Sequence, residues 1–430
     1  MTGGSVTGEP VMVTGQGAVS PLGIGADPML AGLWDNQVGI GPAPWARPGD
    51  PFAWWAVVPG FEPLDWMDEK VVAGTDLFAQ FALAAAVQAV TSAGLDRLDP
   101  VRTAVVHGTS MGGSRALMKA QYQYDTAGPA AVERKTMIQI WPNMAAAQIA
   151  MRYGLHGPQL TVCTACASAI DAVGIARLLI RSGQVDVAIV GGTEGGLPAA
   201  SGAADGDFVP AMYIGQASYG MTTAERDPAR ASLPFDVHRS GIVTGEGSAA
   251  LVLESPAHAR ARGARVLAEI TGHATLADSY HPSSPNPEGT WEARAMQLAL
   301  DDADTKPEQV SALIAHATAT PKGDAAEITA INRIYRERHA PLPVSSLKGH
   351  LGHTGAASGA MSIMAAAHAM RHGSFPNTAG TRDVDPAAEF DVVTGRPVPL
   401  DVDVVQINAF GFGGQNSSVV VRRPSFQQGG

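Results

Sequence analysis

A chain of 430 residues that is 45% hydrophobic and only 16% charged can bury a large core, which excludes a disordered or fibrous protein. Its 29 basic and 40 acidic residues leave a net charge of −11, which excludes nucleic acid as the main partner because phosphates need a basic footprint. An acidic protein partner stays open, since it needs only a local basic patch.

The N-terminal stretch MTGGSVTGEPVMVTGQGAVSPLG has neither a basic n-region nor a long apolar h-region, so no signal peptide is expected. Pro10–Ser20, β-branched and ending in Gly and Pro, predicts a first strand and its turn. Phe78–Ala93 is small and apolar almost all round, which predicts a buried helix. Thr103–Val106 predicts a short buried strand running into the Gly-rich loop HGTSMGG. Leu160–Val162 and Val185–Val190 predict two more strands bracketing a helix from about Ala167 to Ser182, with Gly183 where it stops. The most apolar helical stretches, Phe81–Val90 and Ala357–Met370, are short and Ala-rich, so they read as core helices and no membrane span is expected.

The C-terminal half repeats this grammar. Ala312–Ala315 predicts a buried strand ending in HATATPKGD, as the earlier strand ends in HGTSMGGS. ASAIDAVGIARLLIRSG (Ala167–Gly183) aligns without gaps to ASGAMSIMAAAHAMRHG (Ala357–Gly373), with Ala, Ser, Arg and Gly coinciding at the first, second, fifteenth and last positions. Together with the strand order this predicts an ancient duplication, with halves at 1–255 and 256–430 intertwined in one unit. No low-complexity linker divides them; the nearest is the loop-like Leu197–Gly220, and Gln427–Gly430 reads as a frayed tail.

Cys163 and Cys166 are the only cysteines, so at most one short disulfide is possible and a reducing cytosol is the expected setting. Cys166 ends a strand–turn and opens a helix, where the peptide dipoles favour thiolate and nucleophilicity. A buried structural cysteine is the competing reading. Cys163-Thr-Ala-Cys166 also has the spacing of a redox pair, but it lies deep in a large chain with Cys163 inside a strand.

His316 follows a predicted strand, and His353 precedes a helix, with Lys348 five positions earlier. Either histidine alone reads as a satisfied polar residue. Strand ends that deliver Cys, His and His together predict a site, because doubly wound sheets assemble sites there. NAFGFGGQN reads as a hairpin, or as the source of a backbone N–H donor near the thiol, an oxyanion hole with Phe410 guarding the entrance. No metal-ligand spacing appears, GTSMGGS lacks the P-loop lysine, and His107 reads as structural.

These motifs resemble the β-ketoacyl-acyl-carrier-protein synthases, in the synthase II branch, over nearly the whole chain. TACAS (Thr164–Ser168) resembles the nucleophile motif, HATATPKGDAAE (His316–Glu327) the family's HGTxTxxGDxxE, and LKGHLGH (Leu347–His353) its KxxxGH. PFDVHRSGIVTGEG (Pro234–Gly247) and NAFGFGGQN (Asn408–Asn416) match as well. The resemblance implies an α/β thiolase fold, a duplicated α-β-α-β-α five-layered architecture. It implies that Cys166 takes an acyl chain from the phosphopantetheine of an acyl carrier protein, and that His316 and His353 hold a malonyl thioester during decarboxylation. It further implies that backbone N–H groups of Cys166 and Phe410 bind the oxyanion, and that Lys348 and Glu327 order the histidines. Thr318 and Thr320 would bind pantetheine, and Met111 would line the acyl pocket near a dimer interface. No bound cofactor or metal is implied; the partners are a carrier protein and a second subunit, identical or related.

Ala317, Ser240 and Gln415 depart from the family pattern at Gly, Asp and Thr positions, and the stretch 195–222 is longer than usual. The basic cluster that often precedes the first long buried helix is reduced to Lys70, leaving Arg134 and Lys135 as further candidates for carrier docking. These departures point to a specialised carrier, or to polyketide or polyene assembly. A thiolase is disfavoured because no second cysteine follows Cys166. A non-elongating chain-length-factor-like subunit is disfavoured by the presence of Cys166, His316 and His353 together.

Overall fold

The computed structural model describes residues 9–44, 46, 50, 52–195 and 211–425. Its first half runs β1 (Val11–Ser20), α1 (Leu77–Ser92), β2 (Thr103–Gly108), α2 (Met144–Tyr153), β3 (Gln159–Val162), α3 (Ser168–Arg181), β4 (Val187–Glu194) and β5 (Gly247–Glu254). Its second half runs β6 (Ala268–Ala277), α4 (Thr290–Asp302), β7 (Ala312–Ile314), α5 (Pro321–Tyr335), β8 (Pro343–Ser345), α6 (Ser358–His372), β9 (Val404–Gly411) and β10 (Gln415–Arg422).

The strands pair in the order β3-β2-β4-β5-β1 and β8-β7-β9-β10-β6. Numbered within its own half, each sheet has the order 3-2-4-5-1. In each half the three strands nearest the outer edge are parallel and the last two pairings antiparallel. The halves join where Val11–Val13 of β1 pair with Ala268–Ile270 of β6.

Alternation along the strands explains the layers. In β5, Ala249, Leu251 and Leu253 face a central core, while Ala250 and Val252 face an outer one. In β10, Val419 and Val421 face the centre and Val420 faces outward. Both faces of each sheet are therefore buried. The central layer is α3 and α6, whose Ile170, Val173, Ile363 and Met364 are sealed between the sheets. One outer layer is α1 and α2; the other is α4 and α5. This is the expected α-β-α-β-α arrangement.

Close approach of helix to sheet uses glycine at matching places. A Cβ on Gly15 of β1 would sit 2.2 Å from the Ala89 carbonyl of α1, and one on Gly272 of β6 would sit 2.2 Å from the Ala299 carbonyl of α4. The expected echo between α3 and α6 is likewise seen in three dimensions. Each is entered through a 3₁₀ turn, Ala165–Ala167 or Gly355–Ala357, and each ends at a left-handed glycine, Gly183 or Gly373.

β3 forms an open edge, with Gln159 and Leu160 exposed. Most of the stretch expected to be long, 196–210, and the expected tail lie outside the described residues; Ala211–Ser218 is helical. Among the described residues no helix is long and apolar enough to cross a membrane.

Candidate active site

Cys166 is placed by a tight local fold. β3 ends at Val162, and Ala165 takes a positive φ of 50°, a costly conformation for a residue with a Cβ. The Ser168 hydroxyl secures the turn, accepting from the Thr164 N–H at 3.0 Å and donating to the Ala165 carbonyl at 2.6 Å. The sulfur then sits in the 3₁₀ turn that leads into α3.

His316 lies just beyond β7. The Glu327 carboxylate of α5 accepts the backbone N–H groups of His316 (2.9 Å) and Ala317 (2.6 Å), and takes a third hydrogen bond from Asn408 at 3.2 Å. Glu327 thus fixes the main chain that carries the imidazole rather than the imidazole itself. His353 follows Gly352, whose φ is 62°; its own N–H donates to the Val243 carbonyl at 2.7 Å.

These elements bring three side chains together. His353 Nε2 is 2.9 Å from Cys166 Sγ. The His316 and His353 rings stand edge to face, with centroids 5.5 Å apart. Lys348 is buried, 6% exposed, and its charge acts on all three.

Electrostatics correct one expectation. Burial pushes the Cys166 thiol up to about 12, although Lys348 and the N–H groups of Cys166 and Phe412 all favour the thiolate. Desolvation outweighs the helix-terminal dipole here, so the resting sulfur is a thiol. The same burial, assisted by Lys348, pulls His353 down to about 3 and His316 well below its ordinary value. Both imidazoles are therefore neutral and able to donate N–H to an oxygen without acidifying the site. Lys348 itself is lowered to about 8 by burial, opposed by Glu327, Cys166 and Asp324.

The sulfur and imidazole nitrogens lie within 4.8 Å of one another, a donor set that metals also use. The neighbouring Lys348 ammonium disfavours a dication there. Cys163 is exposed and its sulfur contacts the Ser110 carbonyl at 3.8 Å, so the two thiols face different partners and both are free.

A cavity of about 280 Å³ opens on Cys166, His316 and His353. Thr318 and Thr320, whose hydroxyls are 3.2 Å apart, line it together with Phe410 and Phe412. The glycine-rich turn needs a second correction. Phe410 belongs to β9, paired with Asn416, and its ring is buried with its centroid 5.9 Å from that of His316. Phe412 opens the turn, is 40% exposed, and supplies the N–H that faces the sulfur. It is Phe412, not Phe410, that turns its N–H toward the sulfur, because Phe410 is held in the ladder.

Met111 is 42% exposed and does not line this cavity; its N–H reaches the Glu194 carboxylate at 3.4 Å. Lys70, Arg134 and Lys135 are all exposed, and none of them lines the cavity at Cys166. A side chain at Gly74, beyond the helix carrying Lys70, would come within 3.9 Å of the Lys135 ammonium, so these two cations share one surface. His107 is buried in β2, and burial lowers it to about 3.

A neutral-imidazole pair, a thiol and two convergent backbone donors define a thioester-handling condensing site, and comparison places the chain among such proteins. It matches the beta-ketoacyl synthase N-terminal domain over residues 8–259 and the C-terminal domain over residues 267–382. The chain belongs to the beta-ketoacyl synthase family. It is 34% identical over 417 residues to 3-oxoacyl-[acyl-carrier-protein] synthase 2 of Synechocystis, covering 96% of this chain and 98% of the relative. It is 33% identical over 416 residues to the synthase 2 of Coxiella burnetii, with the same coverage. Among solved structures it resembles the ishigamide ketosynthase/chain length factor, with TM-score 0.88, 34% identity, and 97% and 100% of the two chains covered. It also resembles a type II polyketide ketosynthase bound to the hexaketide, in complex with its acyl carrier protein, with TM-score 0.87, 26% identity and the same coverage.

Proposed function

We propose that this enzyme joins an acyl group to a malonyl-type extender, both delivered as phosphopantetheine thioesters of an acyl carrier protein, through an acyl-Cys166 intermediate. The carrying observation is the 2.9 Å contact between Cys166 Sγ and His353 Nε2, with His316 alongside. In the first half-reaction the Cys166 sulfur attacks the acyl thioester. Its proton passes to His353 Nε2 and then to the departing pantetheine sulfur, while the N–H groups of Cys166 and Phe412 hold the tetrahedral oxyanion.

Before the second half-reaction the neutral His353 takes a proton at Nε2 from solvent and releases the one at Nδ1, and His316 and His353 then donate to the malonyl thioester oxygen. The bond to the carboxylate breaks, carbon dioxide leaves, and its electron pair becomes the enolate. The enolate carbon attacks the acyl-Cys166 carbonyl, a carbon–carbon bond forms, and the sulfur leaves and recovers a proton from water. Thr318 and Thr320 line the approach and serve the pantetheine arm. No resident cofactor takes part in this scheme.

The repeated strand order supports reading 1–255 and 256–430 as the two halves of a duplicated unit. The open edge of β3, with exposed Leu160 and the nearby exposed Met111, supports a dimer across that edge, with an identical or a related subunit. Met111 would reach an acyl pocket only once a second subunit covers it. The sparse cations at Lys70, Arg134 and Lys135, interleaved with Glu69 and Glu133, support a specialised carrier of polyketide or polyene assembly over routine fatty-acid elongation. A cytoplasmic setting accords with two free thiols. The test is malonyl-carrier decarboxylation. Cys166→Ala should retain carbon dioxide release and lose condensation, whereas His316→Ala should lose both; release unaffected by His316→Ala contradicts the scheme.

A further inference from the structure

Three buried polar side chains line the active cavity and have no part in the scheme above. Glu292 is 2% exposed, Asn416 3% and Asp278 5%. Among the described residues, Glu292 Oε2, Asn416 Nδ2 and Asp278 Oδ1 each lack a hydrogen-bond partner. Unpaired buried polar atoms are costly, and three on residues lining one cavity call for a ligand.

Their placement is fixed by the fold. Asn416 stands opposite Phe410 in β9 and opposite Leu276 in β6. Asp278 follows the end of β6, held by its N–H to the Gly414 carbonyl (2.7 Å) and by the Asn286 N–H to its other carboxylate oxygen (2.8 Å). Glu292 lies in the first turn of α4, one turn before Met296, whose carbonyl accepts from Gln406 of β9 at 2.9 Å. Burial, with Glu327 and Asp278 nearby, drives the Glu292 carboxyl well above its ordinary range, so it carries a proton and can donate.

We propose that Glu292, Asn416 and Asp278 form a specificity subsite that takes a hydroxyl group of the carrier-bound substrate. A hydroxyl offers one donor and two acceptor lone pairs. The wall offers one acceptor, Asp278 Oδ1, and two donors, the Asn416 amide and the Glu292 carboxyl. An ammonium group would face the Asn416 donors, and a methyl group would leave all three atoms unpaired. The substrate class is therefore a hydroxylated thioester, with the hydroxyl on the extender or near the thioester of the acyl chain. This inference rests on the condensing reading of the same cavity.

The test uses the full chain with carrier-bound malonyl, 2-hydroxymalonyl and 2-methylmalonyl thioesters, and with Cys166 primed by acyl or 3-hydroxyacyl groups. The hydroxylated member of one series should exceed its methyl or unsubstituted counterpart in kcat/KM by about 100-fold or more, since a site built around a hydroxyl rejects analogues lacking it. The series that responds identifies where the hydroxyl sits. Glu292→Leu should collapse the preference to within about tenfold, and Glu292→Gln, which keeps an N–H donor, should retain most of it. Equal rates across both series, or a preference untouched by Glu292→Leu, overturn the proposal. Acylation of Cys166 is followed in parallel by mass spectrometry. If the wild-type cysteine accepts acyl groups while hydroxyl preference is absent, only the subsite fails; if it accepts none, the condensing reading fails.

Discussion

Cys166 and His353 share a 2.9 Å hydrogen bond, and one cause, burial, drives their proton equilibria in opposite directions, the thiol up to about 12 and the imidazole down to about 3. The resting pair is a neutral thiol beside a neutral imidazole. That state suits both half-reactions. The imidazole can receive the thiol proton when the sulfur attacks, and it can donate to an oxyanion once the sulfur is acylated.

Lys348 carries a stability cost with a definite pH signature. Its pKa falls from 10.5 to about 8 on folding, chiefly through burial. Between those values the unfolded chain binds more protons than the folded one, so this group's contribution to stability rises with pH across the window and is least favourable below it. At about 1.4 kcal/mol per unit, the penalty at pH 7 is on the order of 3 kcal/mol. Lys348→Met should therefore be more stable than wild type at pH 7 by about 1–3 kcal/mol, with the gap closing toward pH 10, while decarboxylation falls. Urea unfolding at the two pH values measures it.

Glu327 should act through the His316 backbone. Glu327→Ala strips the acceptor from two buried N–H groups, a loss of about 2–5 kcal/mol, and lets His316 drift. Glu327→Gln keeps one carbonyl oxygen and should lose roughly half as much. Thermal melts and decarboxylation rates of the two variants should rank in that order.

The two phenylalanines of the glycine-rich turn should separate cleanly. Phe410 is buried beside His316, so Phe410→Ala should cost about 3–5 kcal/mol of stability. Phe412 is 40% exposed, so Phe412→Ala should change stability by less than about 1 kcal/mol while altering kinetics with carrier-bound substrates. The Phe412 N–H that faces the sulfur survives in both variants. Urea titrations and steady-state rates check this.

The open edge of β3 predicts the oligomeric state. Leu160 is 41% exposed in the single chain, and Leu160→Lys should shift the protein from dimer to monomer on size exclusion and reduce condensation. An unchanged elution volume contradicts a dimer built on that edge.

Much of this was legible in the sequence for physical reasons. Cys166 and His316 announce themselves by following short strands and His353 by preceding a helix, and the matched segments at 167–183 and 357–373 become two central helices with the same entry and exit. Which phenylalanine of the turn presents its N–H to the sulfur was not legible. Phe410 and Phe412 share a period-two spacing, and only the ladder shows that the strand continues through Gly411 before the turn begins. The proton state of Cys166 was hidden too, because the side chains that desolvate it come from distant segments. Asp278, Glu292 and Asn416 carry no local motif; a strand end, a helix start and a hairpin bring them together.

The most direct measurement is fragmentation mass spectrometry of the peptide holding both cysteines, after incubation with an acyl-carrier thioester and no extender. The acyl mass should sit on Cys166 alone, and it should discharge as a β-ketoacyl product when malonyl-carrier is added. An acyl group on Cys163, or an adduct on Cys166 that malonyl-carrier cannot discharge, contradicts the account.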